Sequence, residues 1–238
     1  MQLILLAAGK GSRLPRNLRS KPKCLVKIKK NKTIIDYNLA FYKKFKNKII
    51  VTGYKSHLLK SFIKKYNFKE IKNQLYNKTN MVFSAFHCHK LVKEDVVICY
   101  ADIIFDHKIY SKLKESKNLI PLKLDWLKVW KGRMSPSEIK KDAEDVKLKK
   151  KNLFSIGGKI INKLPKYQYM GILKLKFKDY HKLKTFFDKL IIKDISFTNF
   201  IDIAIKNKII KINTIITKQK WLEIDNSSDL KFAKRELW

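Results

Sequence analysis

The sequence has few acidic residues and very little arginine. Of its 238 residues only 20 are Asp or Glu, against 55 Lys or Arg, which gives a formal net charge of +35 at pH 7. Almost all of the excess is lysine, because Arg occurs only at positions 13, 16, 19, 133 and 235. Proteins that read nucleic acids usually depend on Arg, which is bidentate and stacks on bases. The scarcity of Arg therefore favours a solvated basic surface, and a basic nucleic-acid-binding protein stays as the non-enzymatic alternative.

Cysteine and long apolar runs are scarce as well. Cys24, Cys88 and Cys99 are an odd number without metal-site spacing, which predicts neither a disulfide framework nor a zinc site. Cys24 and Cys99 lie beside apolar strand residues, so we expect them to be free, reduced and buried, as in a cytoplasmic protein. The apolar start, residues 3–8, is too short for a signal peptide, and no later run could span a membrane. We expect a soluble cytoplasmic protein.

The first 25 residues carry the clearest chemical signal. Residues 3–6 are a short apolar run, which predicts a buried strand, and the run breaks into Gly9-Lys-Gly-Ser-Arg13. Two glycines one residue apart allow a sharp turn and bring backbone N–H groups close to a ligand, and a concave row of such donors binds anions. Arg13 and Lys23 add positive charge that suits a phosphate. These residues predict a triphosphate clamp at the end of the first strand; a glycine-rich turn without a ligand is the alternative.

The clamp also resembles a known family. Leu-Ala-Ala-Gly-x-Gly-x-Arg, followed ten residues later by Pro-Lys-x-Leu, is similar to the signature of the sugar nucleotidyltransferase superfamily, the GT-A-like pyrophosphorylases, and the spacing is similar to the phosphocholine and phosphonate cytidylyltransferase branch. It is neither a Walker A loop nor a dinucleotide fingerprint, because the required Gly-Lys-Ser/Thr and third glycine are missing. The resemblance implies that Arg13 and Lys23 are catalytic. It also implies a nucleotide site formed by Leu6, Ala7, Ala8, Gly9, Gly11, Ser12, Arg13 and Lys23.

The apolar pattern of the rest of the chain alternates between helix and strand. It predicts helices over 34–46 (with Thr33 near the N-cap), 56–66 and 79–91 and strands over 48–53, 68–73 and 95–100. After residue 118 it predicts shorter strands at 119–124, 145–149, 153–157, 167–177, 209–216 and 220–225 and helices over 179–190, 195–207 and 227–236. This alternation predicts an α/β fold with a Rossmann-like, mostly parallel mixed sheet flanked by helices. We expect one nucleotidyltransferase domain over 1–238, with a nucleotide-binding half, 1–118, and an acceptor-binding half, 119–238.

Two acidic motifs end predicted strands. Asp102 follows the strand over 95–100, and Glu223 and Asp225 alternate in a later strand. Magnesium prefers hard oxygen ligands and keeps most of its waters, so one or two carboxylates plus phosphate oxygens suffice. In the family pattern, Asp102 and Asp225 match the two metal-binding aspartates and Glu223 matches a further acid. We therefore expect Mg²⁺ as cofactor at Asp102, Asp225 and Glu223; a helix N-cap is the alternative for Asp102.

The segment from Asn73 to Ser84 resembles the Asn-rich, base-binding segment of the cytidylyltransferase branch. An Asn side chain offers a donor and an acceptor to the edge of a pyrimidine. The resemblance implies that Asn73, Thr79 and Asn80 bind the nucleotide. In the alternative interpretation, Thr79 caps a helix and Asn73 ends a strand.

Residues 125–133 resemble a segment of the phosphocholine and phosphonate relatives. They combine Trp126 and Trp130 with Arg133, the only Arg in the middle of the chain. Trp faces attract ammonium groups, and an Arg can fork onto a phosphate. The acceptor site expected from the resemblance is Trp126, Trp130, Arg133, Glu144 and Tyr169. As alternatives, the two Trp are an apolar i, i+4 pair on a lid helix and Tyr169 packs within a strand.

Together these features predict a magnesium-dependent cytidylyltransferase. It would move CMP from CTP to a small phosphorylated or phosphonate acceptor of the phosphocholine, phosphoethanolamine, aminoethylphosphonate or phosphoglutamine type, for decoration of a surface polysaccharide or lipid. No general base is needed, because a phosphate monoester with a second pKa of about 6 is already a dianion at neutral pH. The alternative enzyme is a sugar-1-phosphate nucleotidyltransferase that uses UTP, dTTP or GTP. The expected partners are CTP and the acceptor, with no nucleic acid and no membrane span; a homodimer is left open.

Overall fold

The computed structural model describes residues 1–29, 31–161, 163–192 and 194–236. Within these ranges the strands are β1 (Gln2–Ala7), β2 (Lys27–Lys29), β3 (Lys32–Thr33), β4 (Lys48–Thr52), β5 (Lys69–Lys72), β6 (Val96–Tyr100), β7 (Ile103–Phe105), β8 (Leu119–Lys123), β9 (Glu144–Lys149), β10 (Asn152–Lys159), β11 (Gln168–Tyr169), β12 (Ile172–Leu175), β13 (Asn213–Thr217) and β14 (Trp221–Glu223). The α-helices are α1 (Leu39–Tyr42), α2 (Lys60–Lys65), α3 (Met81–His87), α4 (Ile109–Lys112), α5 (Trp126–Lys131), α6 (Pro136–Asp142), α7 (Phe177–Lys189), α8 (Phe197–Lys206) and α9 (Ser227–Glu236).

The central sheet has the strand order β5-β4-β1-β6-β12-β8-β13-β10-β9, with β11 paired to β8. The first four strands in this order run parallel to one another. Strand β12 joins β6 in the antiparallel direction, while β8 and β13 are parallel. The predicted mixed α/β sheet flanked by helices is therefore confirmed, and its antiparallel pairs come from the second half of the chain.

The interior of the sheet is apolar because both faces are covered. In β1, Leu3, Ile4 and Leu5 are fully buried, as expected for a central strand that contacts helices on both sides. Parallel strands all end at the same edge, so the segments after β1, β4, β5 and β6 meet there. Gly9, Gly53, Asn73 and Asp102 occupy those four positions. This edge of the sheet positions the candidate site.

A second, smaller apolar core lies beneath that edge. It joins the β2–β3 hairpin, the antiparallel ribbon of β7 and β14, and helix α9, through residues such as Ile28, Ile104 and Leu230. In the ribbon, Glu223 pairs with Ile103, and the N–H of Ile224 donates to the carbonyl oxygen of Asp102 at 3.0 Å. The ribbon therefore carries Asp225 to the neighbourhood of Asp102, although 123 positions of sequence separate the two residues.

Several local predictions were wrong. The predicted helix over 34–46 is a 3₁₀ turn, Ile35–Asn38, followed by the short α1, and Thr33 does not cap it: its N–H and hydroxyl donate to the Asp36 carboxylate. Helix α3 begins two residues after Thr79, and Asn80 is its cap. The β2–β3 hairpin, β7 and α6 were not predicted. All three cysteines are free and buried, which confirms the expectation for Cys24 and Cys99.

Some turns hold side-chain-bearing residues in the left-handed backbone region. Lys55, Asn67, Lys150 and Lys208 have φ values of 45°, 53°, 57° and 57°. Glycine adopts this region freely, whereas a Cβ is crowded there by the neighbouring carbonyl oxygen. These positions are therefore strained in the folded chain. Among the described residues, no helix is both long and apolar enough to cross a membrane.

Candidate active site

Two carboxylates from different strands meet at one lysine. Lys23 begins a 3₁₀ turn after Pro22, Asp102 follows β6, and Asp225 follows β14. The Lys23 Nζ lies 2.7 Å from Asp102 Oδ2 and also pairs with Asp225 Oδ1. The lysine and Asp225 side chains are almost buried, whereas about a quarter of the Asp102 side chain, 26%, is exposed. The structure thus brings together three residues predicted for the clamp and the metal site.

Arg13 extends this network towards solvent. Its Nη2 lies 2.9 Å from Asp225 Oδ2, and its Nη1 lies 3.4 Å from Asp142 Oδ1. The Arg13 side chain is 60% exposed, so a ligand can contact the guanidinium group without any rearrangement of the protein.

Burial and charge act in opposite directions on the ionisable groups. Burial favours the neutral form of Lys23, but the Asp102 and Asp225 carboxylates outweigh it and raise the lysine pKa above its usual value. Burial likewise disfavours ionised Asp225, yet Lys23 and Arg13 hold its pKa below the usual range. For Glu223, burial and the charges of Asp225 and Asp102 raise the pKa and outweigh the opposite effect of Lys23 and Arg133. Opposite charge therefore favours the ionised forms of Lys23 and Asp225.

The first cavity, of about 160 Å³, lies between the glycine turn and the start of α3. Of the predicted nucleotide residues, Leu6, Ala8, Gly9, Thr79 and Asn80 line it, and so does Asp102. Ala7, Gly11 and Ser12 do not. The prediction missed Tyr76, Met81, Ser84 and Tyr100, which also line it. Tyr76 and Ser84 stand in the Asn-rich segment, but Tyr100 reads as an ordinary strand residue in the sequence.

Asn73 does not reach this cavity. Its side chain is 1% exposed, and its Nδ2 donates to Thr79 Oγ1 at 3.0 Å and to Ser84 Oγ at 3.1 Å. Its Oδ1 accepts from the Leu75 N–H at 2.9 Å. The prediction that Asn73 binds the nucleotide directly is therefore wrong, because its donors and its acceptor are used within the protein. Asn73 instead orients Thr79 and Ser84, which line the cavity.

The two glycines of the clamp are under different constraints. Gly11 has φ +68°, and a Cβ there would lie 3.1 Å from the side chains of Leu14 and Lys23. At Gly9, nothing lies within 4 Å of such an added atom. Gly11 is thus required by the fold, whereas the space over Gly9 is left open.

These constraints predict that one alanine substitution lowers stability and that the other weakens CTP binding. Gly11→Ala is expected to lower the free energy of unfolding by about 1–3 kcal/mol, the usual cost of a left-handed residue other than glycine. Gly9→Ala should leave stability unchanged but weaken CTP binding, because the methyl group fills space that a phosphate would use. Thermal melts without nucleotide, and CTP titrations, separate the two effects. Wild-type CTP affinity in Gly9→Ala would show that the phosphates do not pass over Gly9.

The second cavity, also of about 160 Å³, shares Met81 and Tyr100 with the first. Its acidic residues are Asp142, Glu144, Glu223 and Asp225, and Arg13 lies at the same wall. Three buried side-chain atoms of its lining have no hydrogen-bond partner: Trp130 Nε1, Gln168 Oε1 and the Tyr169 hydroxyl oxygen. Of the predicted acceptor residues, Trp130, Glu144 and Tyr169 line this cavity.

Trp126 and Arg133 lie behind the cavity wall. Trp126 is 1% exposed and its Nε1 donates to the Pro165 carbonyl oxygen at 3.1 Å. Arg133 is buried and paired with Asp229. The prediction that these two side chains contact the acceptor is therefore wrong in this structure, because packing and an internal ion pair already occupy them. Trp126 and Trp130 form an edge-to-face pair with centroids 5.0 Å apart, as in the apolar-pair alternative.

Comparisons with known proteins identify relatives of the chain. No family model matches the chain. The chain is 32% identical to a CTP:phosphoglutamine cytidylyltransferase of Campylobacter jejuni subsp. jejuni serotype O:2. The alignment has 254 positions and covers 97% of this chain and 98% of the relative. It is also 32% identical over 102 residues, 42% of each chain, to a choline-phosphate cytidylyltransferase of Streptococcus pneumoniae.

Two solved structures have a similar fold. One is the inositol-1-phosphate CTP transferase of T. maritima, with TM-score 0.77, 17% identity, and coverage of 99% of this chain and 96% of that one. The other is the CTP:phosphocholine cytidylyltransferase of Streptococcus pneumoniae, with TM-score 0.77, 19% identity, and coverage of 100% and 99%. The glycine turn, Lys23 and the two aspartates lie together at one site. Because the Campylobacter relative is matched over almost its full length, the chain belongs to the nucleotidyltransferase superfamily, in its branch of small cytidylyltransferases.

Proposed function

We propose that this enzyme transfers CMP from CTP to a small phospho-acceptor and releases pyrophosphate. The observation that carries the proposal is the position of Lys23. Its ammonium group joins Asp102, which lines the first cavity, to Asp225, which lines the second. The cytidylyl group, moving from CTP in one cavity to an acceptor in the other with pyrophosphate as the leaving group, would pass this point. We assign the nucleotide to the first cavity and the half 1–118, and the acceptor to the second cavity and the half 119–238.

In this proposal, catalysis consists of positioning and charge neutralisation. The backbone of the glycine turn faces the triphosphate, Lys23 neutralises charge that grows at the α-phosphate, and Arg13 reaches the same region from the second cavity. The acceptor phosphate oxygen attacks the α-phosphorus in line with the departing pyrophosphate. The acceptor arrives already ionised, so no side chain has to remove a proton.

Magnesium fits the donor set. Among the residues that the structure describes, no group of three or more His, Cys, Asp or Glu side chains is arranged as a closed metal site. Mg²⁺ needs only one or two carboxylates beside phosphate oxygens and water. Asp102 Oδ1 is buried without a hydrogen-bond partner, which leaves it available to a cation. We assign Asp102 and Asp225 as its ligands and Glu223 as a water-holding neighbour; when bound, the ion would neutralise triphosphate charge.

The second cavity favours an acceptor whose far end donates hydrogen bonds. Burial raises the pKa of Asp142 and of Glu144, against the opposite effects of Arg13 on Asp142 and of the Thr198 hydroxyl on Glu144. Gln168 Oε1 is an unused acceptor, and Trp130 Nε1 is an unused donor. An amide group could satisfy both atoms and a primary ammonium group could donate to the Gln168 oxygen, whereas a trimethylammonium group has no N–H to donate. We therefore rank phosphoglutamine and phosphoethanolamine types above phosphocholine. The CDP-activated product suits later decoration of a surface polysaccharide or lipid, and we place the enzyme in the cytoplasm.

Gln168→Leu is expected to test the acceptor cavity. The substitution removes the unused Oε1 and should raise KM for the acceptor about tenfold, equivalent to roughly 1.4 kcal/mol for an unpaired donor on the ligand, with KM for CTP unchanged. Gln219→Leu is the matched control, since its Oε1 is also buried and unpaired but its side chain lines neither cavity. Equal acceptor KM values for Gln168→Leu and wild type would remove Gln168 from the acceptor site.

The function itself is tested by pyrophosphate release. The purified enzyme with Mg²⁺ is given each of four NTPs together with phosphoglutamine, phosphoethanolamine, aminoethylphosphonate, phosphocholine or glucose-1-phosphate. CTP with an amine- or amide-bearing acceptor is expected to react fastest. Faster turnover of UTP with glucose-1-phosphate would overturn the proposal in favour of a sugar-1-phosphate nucleotidyltransferase.

A further inference from the structure

We infer that Arg133 and Asp229 form a positioning pair that fixes two walls of the acceptor cavity, Trp130 and Asp225, relative to each other. The inference rests on the proposed function, because it assigns these residues to the support of that site. Neither Arg133 nor Asp229 lines either cavity. Each touches a residue that does, so both would act through other side chains and not on the substrate.

Arg133 supports the Trp130 wall. It follows α5 closely, and its guanidinium carbon lies 5.1 Å from the centroid of the Trp130 ring, a cation–π contact. The intervening Gly132 allows α5 to approach α9, because a Cβ at this position would lie 2.4 Å from Phe232. This close approach is what lets the Arg133 Nη1 reach Asp229 Oδ1.

Asp229 supports the Asp225 wall with its other carboxylate oxygen. Asp229 Oδ2 accepts hydrogen bonds from the N–H of Asp225 at 2.8 Å and from the N–H of Asn226 at 3.1 Å. The Asn226 side chain in turn accepts from the Asp229 N–H at 3.0 Å. These bonds fix the turn between β14 and α9, and that turn presents Asp225 to Lys23 and Arg13.

The burial of the pair argues for positioning. The Arg133 and Asp229 side chains are 3% and 0% exposed. Removing two charges from water costs about as much as their attraction returns, so such a pair is weak evidence for stability alone. The pair instead fixes the orientation of two neighbours. One Asp229 oxygen pairs with Arg133, which stacks on Trp130, and the other accepts a hydrogen bond from the backbone N–H of Asp225.

The test uses one double variant, which carries both Arg133→Met and Asp229→Asn, and compares it with the control variant Lys174→Met. The double variant keeps the side-chain volumes and removes both charges together. Like Arg133, Lys174 is a buried cation in an ion pair, and its Nζ lies 3.3 Å from the Asp95 carboxylate. Asp95 precedes β6 whereas Asp102 follows it, so the control lies at the end of that strand opposite to the site. Melting temperatures of all variants are measured first, and comparisons are made well below the lowest one.

Three quantities are then measured: Mn²⁺ binding by electron paramagnetic resonance without nucleotide or acceptor, KM for the acceptor, and KM for CTP. The double variant is expected to bind Mn²⁺ roughly tenfold more weakly, the usual effect of losing a group that orients a ligand, and to raise the acceptor KM more than the CTP KM. Arg133→Lys, which keeps the charge but cannot fork, should fall between it and wild type. Lys174→Met should change only the melting temperature.

Wild-type Mn²⁺ affinity and an unchanged acceptor KM in the double variant would overturn the inference and leave the pair a structural role. Failure of the proposed function is a separate result. If the wild-type enzyme turns over no CTP with any acceptor, the function is rejected, while the Mn²⁺ titration, which uses no substrate, still decides whether the pair orients Asp225.

Discussion

Asp102→Asn is expected to reduce CMP transfer at least about 100-fold, a typical cost of removing one group that stabilises developing charge in a closed site. The substitution keeps the shape of the side chain, so the fold should persist. It removes a negative charge from one side of Lys23 and leaves the pair with Asp225 in place. Pyrophosphate release measures the loss, and circular dichroism checks the fold.

The matched control is Asp106→Asn, which changes a nearby carboxylate beyond β7 that lines neither site cavity. Its turnover should equal that of wild type. If Asp102→Asn also keeps full turnover, Asp102 serves only as a counter-charge for Lys23, and the assignment of this carboxylate to the cation is wrong.

Lys23→Met is expected to have two large effects. It leaves the Asp102 and Asp225 carboxylates facing each other without the buried ammonium group, and breaking a buried pair in this way costs about 3–5 kcal/mol of unfolding free energy. It should also lower kcat more than it raises KM for CTP, because charge on the α-phosphate grows in the transition state. Melting curves and steady-state kinetics measure the two effects.

A metal titration separates these effects. With EDTA the melting temperature of Lys23→Met should be lowest, and Mg²⁺ should recover part of it by neutralising the two carboxylates, without recovery of kcat. Lys21→Met, two residues earlier in the same loop, is the control and should match wild type. An effect of Lys23→Met confined to KM for CTP would mean that the lysine binds ground state and transition state equally.

The sequence allowed the main features of the site to be predicted where a local pattern has one structural outcome. The apolar run of β1, broken by Gly9 and Gly11, has to become a strand followed by a turn. Because parallel strands end at a common edge, Asp102 could be placed beside that turn before any side chain was seen. The proximity of Asp225 came from the family resemblance, and the β7–β14 ribbon that achieves it was not foreseen.

The predictions failed where the outcome depends on which way a side chain points. Trp126, Trp130 and Arg133 have the chemistry of an acceptor site, but only Trp130 lines the cavity, while Trp126 donates to the Pro165 carbonyl oxygen and Arg133 pairs with Asp229. The burial of Arg133 depends on Asp229, 96 positions later, and nothing in the local sequence of either residue indicates the pair. Asn73 was misassigned for the same reason, since an amide that could read a base can equally bind Thr79 and Ser84.

At positions 55, 150 and 208, lysine adopts the left-handed backbone conformation that glycine adopts more easily. Codons for Lys, Asn, Ile, Phe and Tyr are rich in adenine and thymine, whereas glycine codons begin with two guanines, and this chain has only seven glycines among its 238 residues. Glycine at these three turns would relieve strain of about 1–2 kcal/mol per residue. Part of that gain would be offset by the greater freedom of glycine in the unfolded chain. The low glycine content of the chain therefore leaves part of the attainable folding stability unused at these three turns, none of which lines either cavity.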